Sequence, residues 1–220
     1  PHSAIGKNGY LYTGDYDLGT ISVSRINGKS LKEEVEKTVN LLEDINNYCG
    51  GSLSKAQNAC VHGEGLQIKG DSLYVVVSVN PQGSWYTYDD SYLMEYKINR
   101  DGSLTLNSYT RSVRNPDTVR LENYNNLLMH TGIGGSQNYG PGNSTTGITI
   151  ADVGGGKLSK KATRTVVLPE NVQTNGLDLH NMSVWPNGTV YILAYNLSSS
   201  GGGSQMMVYK TTVANLNSDN

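Results

Sequence analysis

Short runs of β-branched and aromatic residues recur along the chain, and their spacing is regular. They are Tyr10-Leu11-Tyr12-Thr13, Ser72-Leu73-Tyr74-Val75-Val76-Val77, Asn126-Leu127-Leu128-Met129-His130 and Thr189-Val190-Tyr191-Ile192-Leu193-Ala194. From Leu11 to Leu73 to Leu127 to Val190 the intervals are 62, 54 and 63 residues, a period that points to a repeat architecture. Each run is preceded by another, at 3–5, 65–68, 119–121 and 179–184, across a tight turn such as Lys7-Asn8-Gly9, Lys69-Gly70-Asp71 or Pro186-Asn187-Gly188. Asn-Gly and Gly-Asp at such places are hairpin chemistry. Each run is also followed by an alternating run, at 20–26, 92–98, 147–153 and 205–211.

A fourth, polar alternating run closes three of the units, at 34–39, 104–113 and 161–168. Charge gathers there, in Glu33, Glu34, Glu36 and Lys37 or in Lys160, Lys161 and Arg164, as expected of the solvated outermost strand of a sheet stack. Four antiparallel strands, repeated, make the blade of a β-propeller. The predicted fold class is all-β, a propeller of four-stranded antiparallel blades at about 1–40, 62–114, 117–169 and 177–220. The last unit reads as incomplete, because 212–220 reach only into the turn where its fourth strand should begin. Seven units at this spacing need about 400 residues. The expectation is that these 220 residues belong to a longer polypeptide, or to an assembly in which strands or blades of other chains complete the ring.

The opening unit carries a recognisable pattern: Pro1-His2-Ser3-Ala4-Ile5, the Asn8-Gly9 hairpin, Leu11-Tyr12, and a strand ending in Arg25-Ile26-Asn27-Gly28. It resembles the seven-bladed lactonase-type propellers, a family that includes 6-phosphogluconolactonases and fungal carboxymuconate cyclases. These motifs mark the blade and not the chemistry, so the resemblance implies a fold more than an activity.

Composition narrows the partners. Charged residues make up 16% and the formal net charge is -2, so the chain lacks the basic footprint that grips nucleic acid. No window approaches 18 consecutive apolar residues, and residues 1–9 lack a signal-peptide pattern, which predicts a protein without a membrane span. The usage of 26 Gly and 15 Tyr with no Phe suits strands joined by turns, although nothing physical explains a complete lack of Phe. Two cysteines, Cys49 and Cys60, stand with ten residues between them within polar sequence. They are too few for a zinc site, and read either as a disulfide clipping an irregular loop in an exported protein or as two free thiols. No metal or cofactor is expected.

Candidate chemistry falls in two places. In a propeller the connections from second to third strand gather on one rim. Here they are mostly long, at 14–19, 80–91, 134–146 and 196–204, and the 49–60 insertion joins them. The richest holds Trp85, Tyr86, Tyr88, Asp89, Asp90 and Tyr92. Rings beside carboxylates suit stacking on sugars or a protein partner, and equally suit a loop packing onto its own rim. The second place is the channel: His2, His62 and His180 stand at the entrance of inner strands, with Glu64 beside His62 and with Arg120 and Glu122 in the third unit. The family resemblance implies that such His, Glu and Arg side chains polarise a lactone carbonyl, with His62 or Glu64 as general base and Arg120 against the carboxylate or developing oxyanion. Against this, the three histidines stand at offsets that differ by one or two residues, and one residue reverses a strand side chain's facing. The leading expectation is an exported binding or assembly module that uses the long-loop face for a carbohydrate or protein ligand. The alternative is a lactone hydrolase or cycloisomerase.

Overall fold

In the computed structural model of the chain the described residues are 3–15, 18–27, 32–48, 57–81, 90–111, 122–132, 147–155, 157–158, 163–167, 177–196 and 205–218. They form four antiparallel sheets in chain order. Sheet one holds β1 (Ser3–Lys7), β2 (Tyr10–Asp15), β3 (Thr20–Asn27) and β4 (Lys32–Asn40). Helix α1 (Leu41–Tyr48) follows, then sheet two with β5 (Gln57–Lys69), β6 (Ser72–Pro81), β7 (Asp90–Ile98) and β8 (Leu104–Arg111). Sheet three is β9 (Glu122–Tyr124), β10 (Leu127–Gly132), β11 (Gly147–Asp152) and β12 (Thr163–Val167). Sheet four has three strands among the described residues, β13 (Leu177–Val184), β14 (Thr189–Asn196) and β15 (Gln205–Thr212), and helix α2 (Val213–Asn217) closes it. These are up-and-down blades, and the fold is that of a β-propeller.

Alternation along the strands decides how the sheets stack. On β6, Leu73, Val75, Val77 and Val79 point to sheet one, where they meet Tyr12, Ile21 and Val23. The intervening Tyr74 and Val76, with Leu93 of β7, point the other way, onto Leu128, Ala151 and Val153 of sheet three. Sheet three turns Met129, Ile148 and Ile150 to Met182, Val190 and Ile192 of sheet four. Because β6 is buried on both faces, it reads as a continuous apolar run and not as an alternating one.

Polar groups brace neighbouring sheets, most of them at the rim of the first hairpins. Lys7 donates to the Gly70 carbonyl and to Asp71 at 2.7 Å, and Lys69 donates to the Asn125 carbonyl and to Asn126 at 3.1 Å. Lys37 reaches Asp101 at 2.6 Å, and the Tyr12 hydroxyl donates to the Gly102 carbonyl at 3.1 Å. The buried Glu95 carboxylate accepts from Ser72 at 2.8 Å and from Ser108, whose hydroxyl oxygen accepts at 2.9 Å from the amide of Leu158 in the β11–β12 connection. A buried carboxylate without such donors would be costly.

Several elements differ from the sequence expectation. The inner strand of unit three is Glu122–Tyr124, whereas 119–121 lie outside the described residues. Around the turn Asn125 adopts φ 53, and Tyr124 pairs with Leu127. Residues 57–60 are not irregular loop, because Cys60 pairs with Ser78 in β5, where the long β6 serves as template. Residues 213–217 form a short helix capped by the Thr212 side chain, not a bare turn. The connection expected at 14–19 shortens to 16–19, since β2 runs to Asp15, whose carboxylate accepts from the Leu18 amide at 2.8 Å.

Candidate functional site

The inner strands, nearest the propeller axis, carry the expected channel residues, and two of these strands are broken by bulges. In β5, Val61 pairs with Val77 and Leu66 with Val75, so His62, Gly63, Glu64 and Gly65 together oppose the single residue Val76. In β13, Leu179 pairs with Ala194 and Asn181 with Leu193, which leaves His180 as the extra residue. A bulge releases residues from the strict two-face alternation and often stands beside functional sites, where it re-aims a side chain. The glycines flanking Glu64 permit the local bend. His62, Glu64 and His180 are thus placed by backbone on irregular inner-strand positions. His2 and Arg120 lie outside the described residues.

Glu122 occupies the first position of β9 and is buried. One of its carboxylate oxygens accepts from the Val184 amide of β13 at 3.3 Å, which ties sheet three to sheet four. That hydrogen bond gives it a structural task at the blade boundary.

Of the aromatic cluster, Trp85, Tyr86, Tyr88 and Asp89 lie outside the described residues, and Asp90 opens β7 opposite Val79. Tyr92 does not belong to a ligand-facing surface. It is fully buried between sheets one and two, edge-on to Tyr109 at 6.5 Å, with the Arg111 guanidinium 6.0 Å from its ring. The alternation that starts at Ser91 points its ring inward, where the apolar area is worth most. Cys49 lies outside the described residues, so the proposed disulfide is placed at one end only.

The first hairpins and the second-to-third-strand connections lie on opposite rims, but the β11–β12 connection at 153–162, on the rim of the first hairpins, is longer than the tight turn expected. One carries the two-residue turns Asn8-Gly9, Gly70-Asp71 and Asn125-Asn126, braced by the lysines described above. The other carries the connections 82–89, 133–146 and 197–204.

One histidine with an unusual environment gave no functional signal in the sequence. His130, in the second strand of sheet three, is fully buried. Its Nδ1–H donates to the Thr131 carbonyl at 3.1 Å, while Nε2 has no partner among the described residues. Burial pushes its pKa down to about 4, so the ring is neutral near pH 7. Its place in an otherwise apolar strand run was the available hint.

No family model matches the chain, and no curated protein does. Solved structures do match. A candidate 6-phosphogluconolactonase of Bacteroides uniformis superposes with a TM-score of 0.51 at 11% identity, over 96% of this chain and 57% of that one. A protein of Lactobacillus plantarum gives 0.52 at 12% identity, over 93% and 54%. A GH43 β-1,3-galactosidase bound to galactodeoxynojirimycin gives 0.49 at 13% identity, over 94% and 70%. The chain spans a little over half the length of the first two. At such identities the likeness is one of fold, and what it establishes is that this chain is built as a β-propeller of the architecture seen in the Bacteroides uniformis protein.

Proposed function

We propose that the chain is an exported propeller module that binds a carbohydrate or protein ligand on the rim of long connections. The observation that carries this reading is the asymmetry of the rims. Three second-to-third-strand connections of eight or more residues share one rim, while on the opposite rim, which also holds the β11–β12 connection at 153–162, the first hairpins of sheets one to three turn in two residues and two of them are bound by lysines of the preceding sheet. Rigid sheets presenting long loops on one side are a scaffold for recognition. Trp85, Tyr86 and Tyr88 in the 82–89 connection supply rings for stacking on sugar faces, and Asp89 and Asp90 supply acceptors for hydroxyls. Affinity electrophoresis through gels holding neutral polysaccharides tests the carbohydrate arm. Retardation that vanishes in Trp85→Ala supports it, and unretarded migration in every gel leaves only a protein ligand for this rim.

A second reading, a lactone hydrolase, is favoured by the bulges that hold His62, Glu64 and His180 on inner strands. In it, Glu64 or His62 takes the proton of a water that attacks the lactone carbonyl, and Arg120 steadies the developing oxyanion. Hydrolysis of 6-phosphogluconolactone by the parent, lost in a Glu64→Gln, Arg120→Ala double variant, supports the enzyme. An inactive parent removes it.

A further inference from the structure

The first hairpin of sheet four departs from those of the other three sheets. In sheets one to three the first two strands are joined by the two-residue turns Asn8-Gly9, Gly70-Asp71 and Asn125-Asn126. In sheet four the register ends at Val184 and Val190, and the connection is Trp185-Pro186-Asn187-Gly188-Thr189. Two hydrogen bonds set its shape. The Trp185 amide donates to the Thr189 carbonyl at 2.8 Å, and the Gly188 amide donates to the Trp185 carbonyl at 2.9 Å, with Gly188 at φ +82. This is the three-residue hairpin loop in which a type I turn is closed by a left-handed glycine, and Pro186 suits its second position because the ring fixes φ. The loop is also held from the side of sheet three. A Cβ on Gly188 would stand 3.0 Å from the Tyr124 hydroxyl, and the Gly188 carbonyl accepts from the Val213 amide at 2.8 Å.

The shape displays an acceptor beside an aromatic ring. Asn187-Gly188-Thr189 is an Asn-x-Thr sequon, the substrate sequence for asparagine-linked sugar. Asn187 is exposed, and its Oδ1 accepts from the Thr189 amide at 3.0 Å. That bond occupies Oδ1 and leaves Nδ2, the atom that carries the sugar, without a partner among the described residues. Thr189 stands directly opposite Trp185 across the hairpin, and side chains so placed share a face. Trp185 is 53% exposed and leans on Tyr191, the next residue along that face, with ring centroids 5.4 Å apart. An indole with much of its surface in water is a platform for the C–H face of a pyranose. The other sequons lack this setting. Asn181 lies inside β13, its Oδ1 accepting from the Met182 amide at 2.7 Å, and Ser183 is paired with Tyr191. Asn143, and the Leu197 and Ser198 that follow Asn196, lie outside the described residues.

We propose that Asn187 is a glycosylation site, carrying an asparagine-linked N-acetylglucosamine whose ring stacks on Trp185. The co-reactant is an oligosaccharide linked to a lipid diphosphate. Nδ2 forms a β-glycosidic bond to the anomeric carbon of the first sugar, and the bond from that carbon to the diphosphate oxygen breaks. The lipid diphosphate leaves with the bonding electrons, and Nδ2 gives up one proton to a base of the transferase. This chain supplies only the acceptor and the platform. The proposal rests on the export in the reading above and on nothing else in it. The hairpin lies on the rim opposite the long connections, so the sugar leaves the ligand rim uncovered.

The test directs the intact chain, behind a cleavable signal peptide, through a eukaryotic secretory pathway and recovers it from cells and medium together. Mass spectrometry of its glycopeptides should find Asn187 occupied in most molecules, and Thr189→Ala should empty that site alone. Thermal unfolding is then compared among the full glycan, the single N-acetylglucosamine left by an endoglycosidase, and the sugar-free chain left by an amidase that converts Asn187 to Asp. The Asp keeps an acceptor for the Thr189 amide, so the comparison reports the sugar. The first two forms should melt together and the third about 2–4 °C lower, the scale of one aromatic contact in a chain of this size. Trp185→Tyr should keep that difference, whereas Trp185→Ala and Thr189→Ala should abolish it. An empty Asn187 overturns the proposal, as does sugar on Asn181 or Asn196 in its place. Occupancy without a melting difference, or a difference that survives Trp185→Ala, overturns the stacking and with it the proposal. Retardation in polysaccharide gels and lactone turnover are read separately, so failure here is distinct from failure of either reading above.

Discussion

Single residues at the sheet boundaries set much of the energetics. Gly102 stands at φ +79 in the turn between β7 and β8, and a Cβ there would come within 2.5 Å of the Tyr10 ring, which packs under the Arg25 guanidinium. Gly102→Ala adds both a left-handed backbone penalty and an overlap with an aromatic ring, and should lower stability by about 2–4 kcal/mol, read from the urea midpoint. His130 gives a pH signature. Its folded pKa of about 4 lies below the ordinary 6.5, so the unfolded chain takes up a proton that the folded one refuses. The stability linked to this ring is complete above pH 6.5 and is lost as pH falls toward 4, in all roughly 3 kcal/mol. Paired urea titrations at pH 7.5 and 4.5 should therefore show a larger fall for the parent than for His130→Leu; equal falls would rule out this ring as the source. Nothing in the sequence announced the neutral state of His130, because desolvation by a facing sheet is not a local property.

Among the elements, strands with strong alternation or dense β-branching were readable, and those that depend on partners were not. The four second strands stand where Leu11, Leu73, Leu127 and Val190 put them, since pleat periodicity and burial agree there. Helix α1 went unforeseen. Its start signal was present, for Asn40 accepts from the Glu43 amide at 3.2 Å, an N-cap followed three residues later by an acid. Eight residues make a marginal helix alone, however, and this one is held by Leu41 and Ile45 in the core of sheets one and two and by the Tyr96 hydroxyl donating to Asp44 at 2.7 Å. Burial raises the Asp44 pKa despite that donor. Leu41→Ala should cost about 2–5 kcal/mol, whereas Tyr96→Phe should cost only about 1 kcal/mol, both measured by urea unfolding. The bulges at 62–65 and at His180 were visible only as a disagreement of offsets among histidines; their register needed the neighbouring strand.

At the scale of the whole molecule the sheets form a line of neighbours, each touching the next. Ile21 belongs to the boundary of sheets one and two, and Ile192 to that of sheets three and four. Ile21→Ala and Ile192→Ala should accordingly be additive to within about 0.5 kcal/mol in urea unfolding, and a larger coupling would show that the line behaves as one rigid core. What the sequence determined by itself was the period, the antiparallel strand order within each unit and the contrast between tight and long connections. All of these follow from local rules: alternation with a period of two, and turn residues that tolerate left-handed backbone. Which face of each strand is buried, that Tyr92 belongs to the core, that Glu122 bonds across a blade boundary and that sheet four keeps Val208 and Trp185 in solvent were decided by tertiary structure. A strand's pattern states that it has two faces, but only the sheet packed against it determines which face loses its water.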